Sequence, residues 1–192
     1  MYRRTSLSHA RGDLTSGGIT GGMLLFALPI MAGNMLQQLY NIADTVIVGR
    51  FIGADALAAV GTSYTLIIFI TSVILGLCMG SGALFSIYYG ASDYGALRRG
   101  VFVSLILIGG VSLSLNIASF IFIDPIMSLL CVPDDVYPLM RDYLWVIFWG
   151  IGFTFIYNYY ASLLRAVGNS VVPLWFLALS VVLNIALDIL FI

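Results

Sequence analysis

Long apolar runs along this chain are separated by short polar breaks. Five runs, 23–48, 59–84, 100–123, 143–164 and 171–192, are long enough to cross a hydrocarbon core of about 30 Å, which takes about 20 helical residues. None alternates apolar and polar positions over about ten residues, as a barrel strand would. A closed bundle of helices is the remaining way to satisfy a backbone in lipid. The pattern therefore predicts an all-α integral membrane protein with about five transmembrane helices. Residues 1–22 are polar, rich in Gly and Ser, and read as a tail ahead of an uncleaved first span. The connection between the third and fourth spans holds Asp124, Pro125, Pro133, Asp134, Asp135 and Pro138 and reads as an acidic, breaker-rich loop. The chain ends on ILFI with no polar anchor after Asp188, which reads as a truncated sequence.

The polar positions inside these runs fall on faces. In the first run, Asn34, Gln37, Asn41 and Asp44 follow spacings of three, four and three, with Tyr40 one turn before Asp44. In the fourth, Thr154, Asn158 and Ser162 repeat every four residues beside Tyr157; in the fifth, Ser180, Asn184 and Asp188 do the same. Such stripes must face protein or a water-filled cavity, because lipid would leave them unsatisfied. Asp188 follows Pro173 by fifteen residues, and Asp44 follows Pro29 by fifteen, about 22 Å along a helix in each case. The two carboxylates thus reach a similar depth and can share a site. A charged group there costs about 2.5–3.5 kcal/mol on insertion scales, and no arginine stands at matching depth. The expected compensator is a bound cation, H⁺ or Na⁺, with Asp44 as a ligand; a structural aspartate bridging helices is the other reading. Gln37, Asn41 and Tyr157 are read as lining a cleft. Pro29 removes a backbone hydrogen bond and predicts a bend early in the first helix. In the second run Ser72, Gly76 and Gly80, with Gly82 nearby, predict close helix packing.

Composition narrows the chemistry. The 192 residues are 61% hydrophobic and 9% charged, against about 25% charged in a soluble domain, and the mean hydropathy is +1.06. Every basic residue is Arg and every acidic one Asp. Without Lys there is no phosphate-cradling P-loop, and without Glu no HExxH zinc site. The single histidine, His9, lies in the tail, and Cys78 and Cys131 make neither a zinc site nor a disulfide framework. An enzyme, a resident cofactor, a metal centre and a nucleic-acid partner are therefore not expected. With the N-terminus inside, inner segments hold Arg3, Arg4, Arg11, Arg98, Arg99 and Arg165 and outer ones Arg50 and Arg141. This bias predicts a multi-pass protein of the cytoplasmic membrane with a cytoplasmic N-terminus.

Four stretches resemble the multidrug and toxic compound extrusion (MATE) family of transporters. They are LPIMAGNMLQQLYNIADTVIVGRFIGADALAAVG, GLCMGSGALFSIYYGASDYGALRRGV, FIYNYYASLLRAVGNSVVPLW and LNIALDILFI, in that order. The resemblance implies twelve spans in two six-helix lobes around a central cleft, and export of organic, often cationic, compounds in exchange for H⁺ or Na⁺. This chain would supply most of the N-terminal lobe, with membrane lipid, a small organic substrate and a missing C-terminal lobe as partners. The implied cation site is Tyr40, Asp44, Asn158, Asn184 and Asp188, and Pro29 matches a proline linked to bending of the first helix. Two other functions compete. A lipid-linked-saccharide flippase of the wider superfamily is disfavoured by the scarcity of Arg in the spans; a structural membrane subunit would use the polar stripes for helix association alone.

Overall fold

The computed structural model describes the backbone of residues 19–191 and the side chains of residues 20–190. The N-terminal tail, apart from its last few residues, lies outside that range, as does Ile192. Every regular element among the described residues is a helix: α1 (Ile19–Phe51), α2 (Ala54–Gly90), α3 (Tyr94–Ile121), α4 (Ile123–Leu129), α5 (Tyr137–Ala166) and α6 (Val171–Phe191). All but α4 are long and apolar enough to cross a membrane.

Most helices extend beyond the apolar runs that mark them. The run reports the stretch matched to hydrocarbon; the helix continues until a turn residue stops it. Gly53, at φ 121°, turns the chain between α1 and α2, a conformation open to glycine without strain. Asp93 caps α3 by accepting from the Ala96 N–H at 2.9 Å. Gly168, at φ 88°, ends α5, and Asn169 Oδ1 accepts from Val172 N at 3.2 Å as α6 begins. The loop expected between the third and fourth spans contains the short helix α4. Pro125 falls in its first turn, where the missing N–H has no helical partner to lose.

Helices α2, α3 and α5 form the core. On α2, Ile70, Ile74, Cys78, Gly82 and Phe85 are buried; on α5, Met140, Leu144, Phe148, Ile151, Phe155 and Tyr159 are buried. These three- and four-residue spacings make two facing apolar stripes. The Tyr159 hydroxyl donates to Val101 O at 2.6 Å and meets Ser104 Oγ at 2.8 Å, tying α5 to α3. Ser162 Oγ donates to Cys78 O at 2.7 Å. The close approach it needs is made at Gly82, where any Cβ would collide with the Ser162 hydroxyl. The stripe expected to pack closely is placed otherwise: Ser72, Gly76 and Gly80 are exposed, and nothing among the described residues lies within 4 Å of a Cβ built at Gly76 or Gly80. The buried α2 face is the Cys78–Gly82 face, about 140° around the helix from that stripe at 3.6 residues per turn.

Helices α1 and α6 make a separate pair. Leu174 and Leu177 of α6 pack over Gly33 of α1, and Ser170 Oγ donates to Phe26 O at 3.2 Å. This pair joins the core sparingly, through Leu57 against Gly49 near the α1–α2 turn and through the Tyr157 hydroxyl, which donates to Pro173 O at 3.3 Å. A space remains between the two groups.

Candidate functional site

That space is a cavity of about 550 Å³. Pro29, Gly33, Asn34 and Gln37 of α1 line one wall, Pro173, Leu177 and Ser180 of α6 an adjoining one, and Thr154, Tyr157, Asn158 and Arg165 of α5 the wall opposite, with Leu75 and Met79 of α2 at the edge. The volume falls in the range of small-molecule pockets, roughly 300–1,000 Å³. Its lining mixes apolar side chains with a few amides and hydroxyls, as such pockets do. The Asn158 amide donates to Thr154 O at 2.8 Å, which leaves its carbonyl oxygen uncommitted.

Further along α1 and α6, toward the end that carries α4, a second polar group assembles. Asp44 and Asp188 lie near enough to repel each other electrostatically. Tyr40 stands beside Asn184 and feels the charge of both carboxylates. Asn184 Oδ1 and Asp188 Oδ2 are shielded from solvent and have no hydrogen-bond partner among the described residues. A buried, unsatisfied polar atom costs about 1–3 kcal/mol, and more when charged. The one ion pair among the described residues, Arg141 to Asp124 at 3.0 Å, lies elsewhere, on the surface between α4 and α5. The cluster therefore gathers hard oxygen donors without an arginine to neutralise them, a set suited to a proton or a hard cation.

The residues chosen from the sequence thus divide. Tyr40, Asp44, Asn184 and Asp188 come together at the carboxylate cluster. Asn158, expected with them, stands instead in the cavity wall with Gln37, Tyr157 and Pro29. Asn41 donates to Gln38 Oε1 at 3.0 Å on its own helix and is not among the cavity-lining residues. Ser180 borders both the cavity and a shallower groove holding Asn184, so the Ser180–Asn184–Asp188 stripe links the two parts.

Two further residues reach these sites without having stood out in the sequence. Tyr143 lies close to both Asp44 and Tyr40. It precedes Thr154 by eleven residues, three turns, and so shares the face of the Thr154–Asn158 stripe. Arg165 follows Asn158 by seven, two turns on the same face. Hydropathy alone puts it in an inner connection, but it belongs to α5 and lines the cavity. Extending the α5 stripe in both directions locates both.

Comparison with known proteins is consistent with this geometry. The MatE family model matches residues 29–190. The chain is 36% identical over 180 residues to the probable multidrug resistance protein YpnP of Bacillus subtilis, covering 94% of this chain and 40% of that protein. It is 31% identical over 173 residues to the multidrug export protein MepA of Staphylococcus aureus, covering 86% and 37%. It is 27% identical over 180 residues to a FAD transporter of Shewanella oneidensis, covering 93% and 39%. Among solved structures, the outward-facing conformation of a multidrug resistance MATE family transporter superposes with a TM-score of 0.83 at 26% identity, covering 90% of this chain and 38% of that one. The chain spans about 40% of the length of the curated relatives it matches.

Proposed function

The chain belongs to the MatE family, and from that membership we propose that it acts in secondary active antiport, exporting organic compounds, cationic ones among them, in exchange for H⁺ or Na⁺. It is a multi-pass membrane protein whose five spanning helices make most of one lobe of a MATE transporter. The pairing of Asp44 with Asp188 beside solvent-shielded, unpartnered oxygens supports ion coupling more than any other feature. A cation bound there relieves the carboxylate repulsion and favours one arrangement of α1 and α6 against the core. Substrate in the adjoining cavity favours the other, and each ligand shifts the balance only by its differential affinity for the two.

In this reading the end bearing Arg98, Arg99 and Arg165 faces the cytosol, with the N-terminus, at the cytoplasmic membrane. Lipid covers the apolar outer faces, and a second lobe closes the cavity on its open side. Pro29, in the cavity wall, leaves the Leu25 carbonyl without its helical partner, which supports the reading of this turn as the hinge of α1. The test is efflux of an organic cation such as ethidium from cells expressing the complete reading frame that contains these residues, under imposed proton or sodium gradients. Asp44→Asn is expected to reduce gradient-driven efflux to background at an unchanged level in the membrane. Full gradient-driven efflux by that variant would overturn the proposal.

A further inference from the structure

The cavity carries one charge that ion coupling leaves unused. Arg165 lines one end of it. Its Nε is shielded from solvent and has no hydrogen-bond partner among the described residues. No carboxylate among them pairs with it; the one ion pair there involves Arg141, at the opposite end of α5. Ser170, the residue before α6, borders the same end. The N-terminus of a 21-residue helix therefore adds its positive dipole end to the guanidinium, although Asn169 Oδ1 already takes the Val172 N–H and Pro173 has none, so the guanidinium supplies the donors. Two independent sources of positive potential meet at one end of a cavity of drug-like volume, while the carboxylates lie beyond its other end.

We infer that the Arg165 end of the cavity is an anion subsite, which holds a carboxylate or phosphate group of an amphipathic organic molecule whose apolar body lies along Met79, Phe153 and Leu177. This deepens the export reading and rests on it for the identity of the site. A guanidinium suits such a ligand because it stays charged and its donors form a planar fork that matches carboxylate or phosphate oxygens in pairs. A zwitterionic molecule would place its cationic group along Gln37 and Ser180, toward Asp44 and Asp188. The phosphate of an anionic lipid headgroup offers the same chemistry from the membrane side.

The test uses the product of the complete reading frame that contains these residues, in phosphatidylcholine nanodiscs, titrated with pyrenebutyrate, its neutral analogue pyrenebutanol and a pyrenebutylammonium salt, with empty discs subtracted. Pyrenebutyrate is expected to bind about tenfold more tightly than pyrenebutanol, the usual scale of a charge-assisted contact. Arg165→Gln should abolish that preference while keeping pyrenebutanol affinity within about twofold, and Arg165→Lys should retain part of it. Equal affinity of the wild-type chain for pyrenebutyrate and pyrenebutanol would overturn the inference, a comparison that needs no variant to fold. A preference surviving in the Gln variant would overturn it too, as would an equal loss of all three probes. Adding phosphatidylglycerol separates the sources. Loss of pyrenebutyrate affinity beyond that seen with Arg165→Gln identifies a lipid phosphate as the occupant, and no such excess identifies a soluble anion. Binding at equilibrium needs no ion gradient, so an Asp44→Asn variant that still exports would end the coupling proposal and leave this subsite standing.

Discussion

Asp44 and Asp188 come from helices at opposite ends of the sequence, yet each was identifiable alone, because a carboxylate inside an apolar run demands compensation. In the proposed coupling their proximity makes them act as one unit rather than two sites. Asp44→Asn and Asp188→Asn should therefore each remove ion-driven efflux. The double variant should be no worse than either, since residues that act together are strongly non-additive. Efflux lost in proportion across the three variants would mean two separate roles. Asn158 shows the limit of such reading. Its face was legible from spacing, but its level along α5 relative to α1 and α6 depends on how the helices are staggered, which spacing does not encode. Asp124, between α4 and α5, gives a contrasting acid-base prediction. Hydrogen bonds from Arg141 Nε and the Tyr137 hydroxyl hold its carboxyl below the usual aspartate range. A lowered native value means the contact stabilises the fold above the unfolded value of about 3.9 and that this is lost as pH falls through the native one. The melting temperatures of wild type and Asp124→Asn should differ slightly near neutral pH and converge in acid. The pair is exposed and screened by salt, so the difference should also shrink in concentrated NaCl.

At the level of the helices, number and type were legible because hydrophobic runs of this length have one stable outcome in lipid. The packing faces were less so. In a helix apolar all round, small residues occur on more than one stripe, and hydropathy cannot say which meets a protein neighbour and which meets lipid or another lobe. The structure selects Gly82, where Ser162 approaches α2 and bonds Cys78 O. This contact separates packing from composition. Gly82→Ala is expected to destabilise the detergent-solubilised chain by about 1–3 kcal/mol, the usual range for overpacking. Gly80→Ala, with open space at its Cβ, should leave the melting temperature unchanged or raise it, because alanine is the better helix former. Removing the colliding hydroxyl with Ser162→Ala should make Gly82→Ala milder. A double variant as unstable as the sum of the two singles would place the strain elsewhere on α2.

Across the whole chain, the division into an α2–α3–α5 core and an α1–α6 pair was invisible in the sequence, since the pair joins the first helix to the last. It follows from where buried surface and cross-helix bonds are concentrated. Among the apolar windows of the spans, 22% of residues in α2 and 28% in α5 are buried within the chain, against 6% in α1 and 11% in both α3 and α6; α3 belongs with the core because Tyr159 of α5 bonds to its Val101 and Ser104. Few packed side chains and few hydrogen bonds hold the pair to the core, and the cavity lies along that weak seam. Local opening is easiest where such contacts are fewest, so the pair to which the proposal assigns the cation is also the one freest to move. Hydrogen–deuterium exchange in nanodiscs should therefore show the amides of α1 around Pro29 and those of α6 near Ser180 exchanging faster than those of α2 around Ile74 or α5 around Phe148. If cation binding at Asp44 and Asp188 draws α1 and α6 together, raising pH or sodium concentration over the range where the ion binds should change protection on those two helices and leave α2 and α5 unmoved. Asp44→Asn should erase the response. Equal protection across all five spans, or an ion response confined to α2 and α5, would mean that the cavity is a fixed feature and that coupling is transmitted by some other seam.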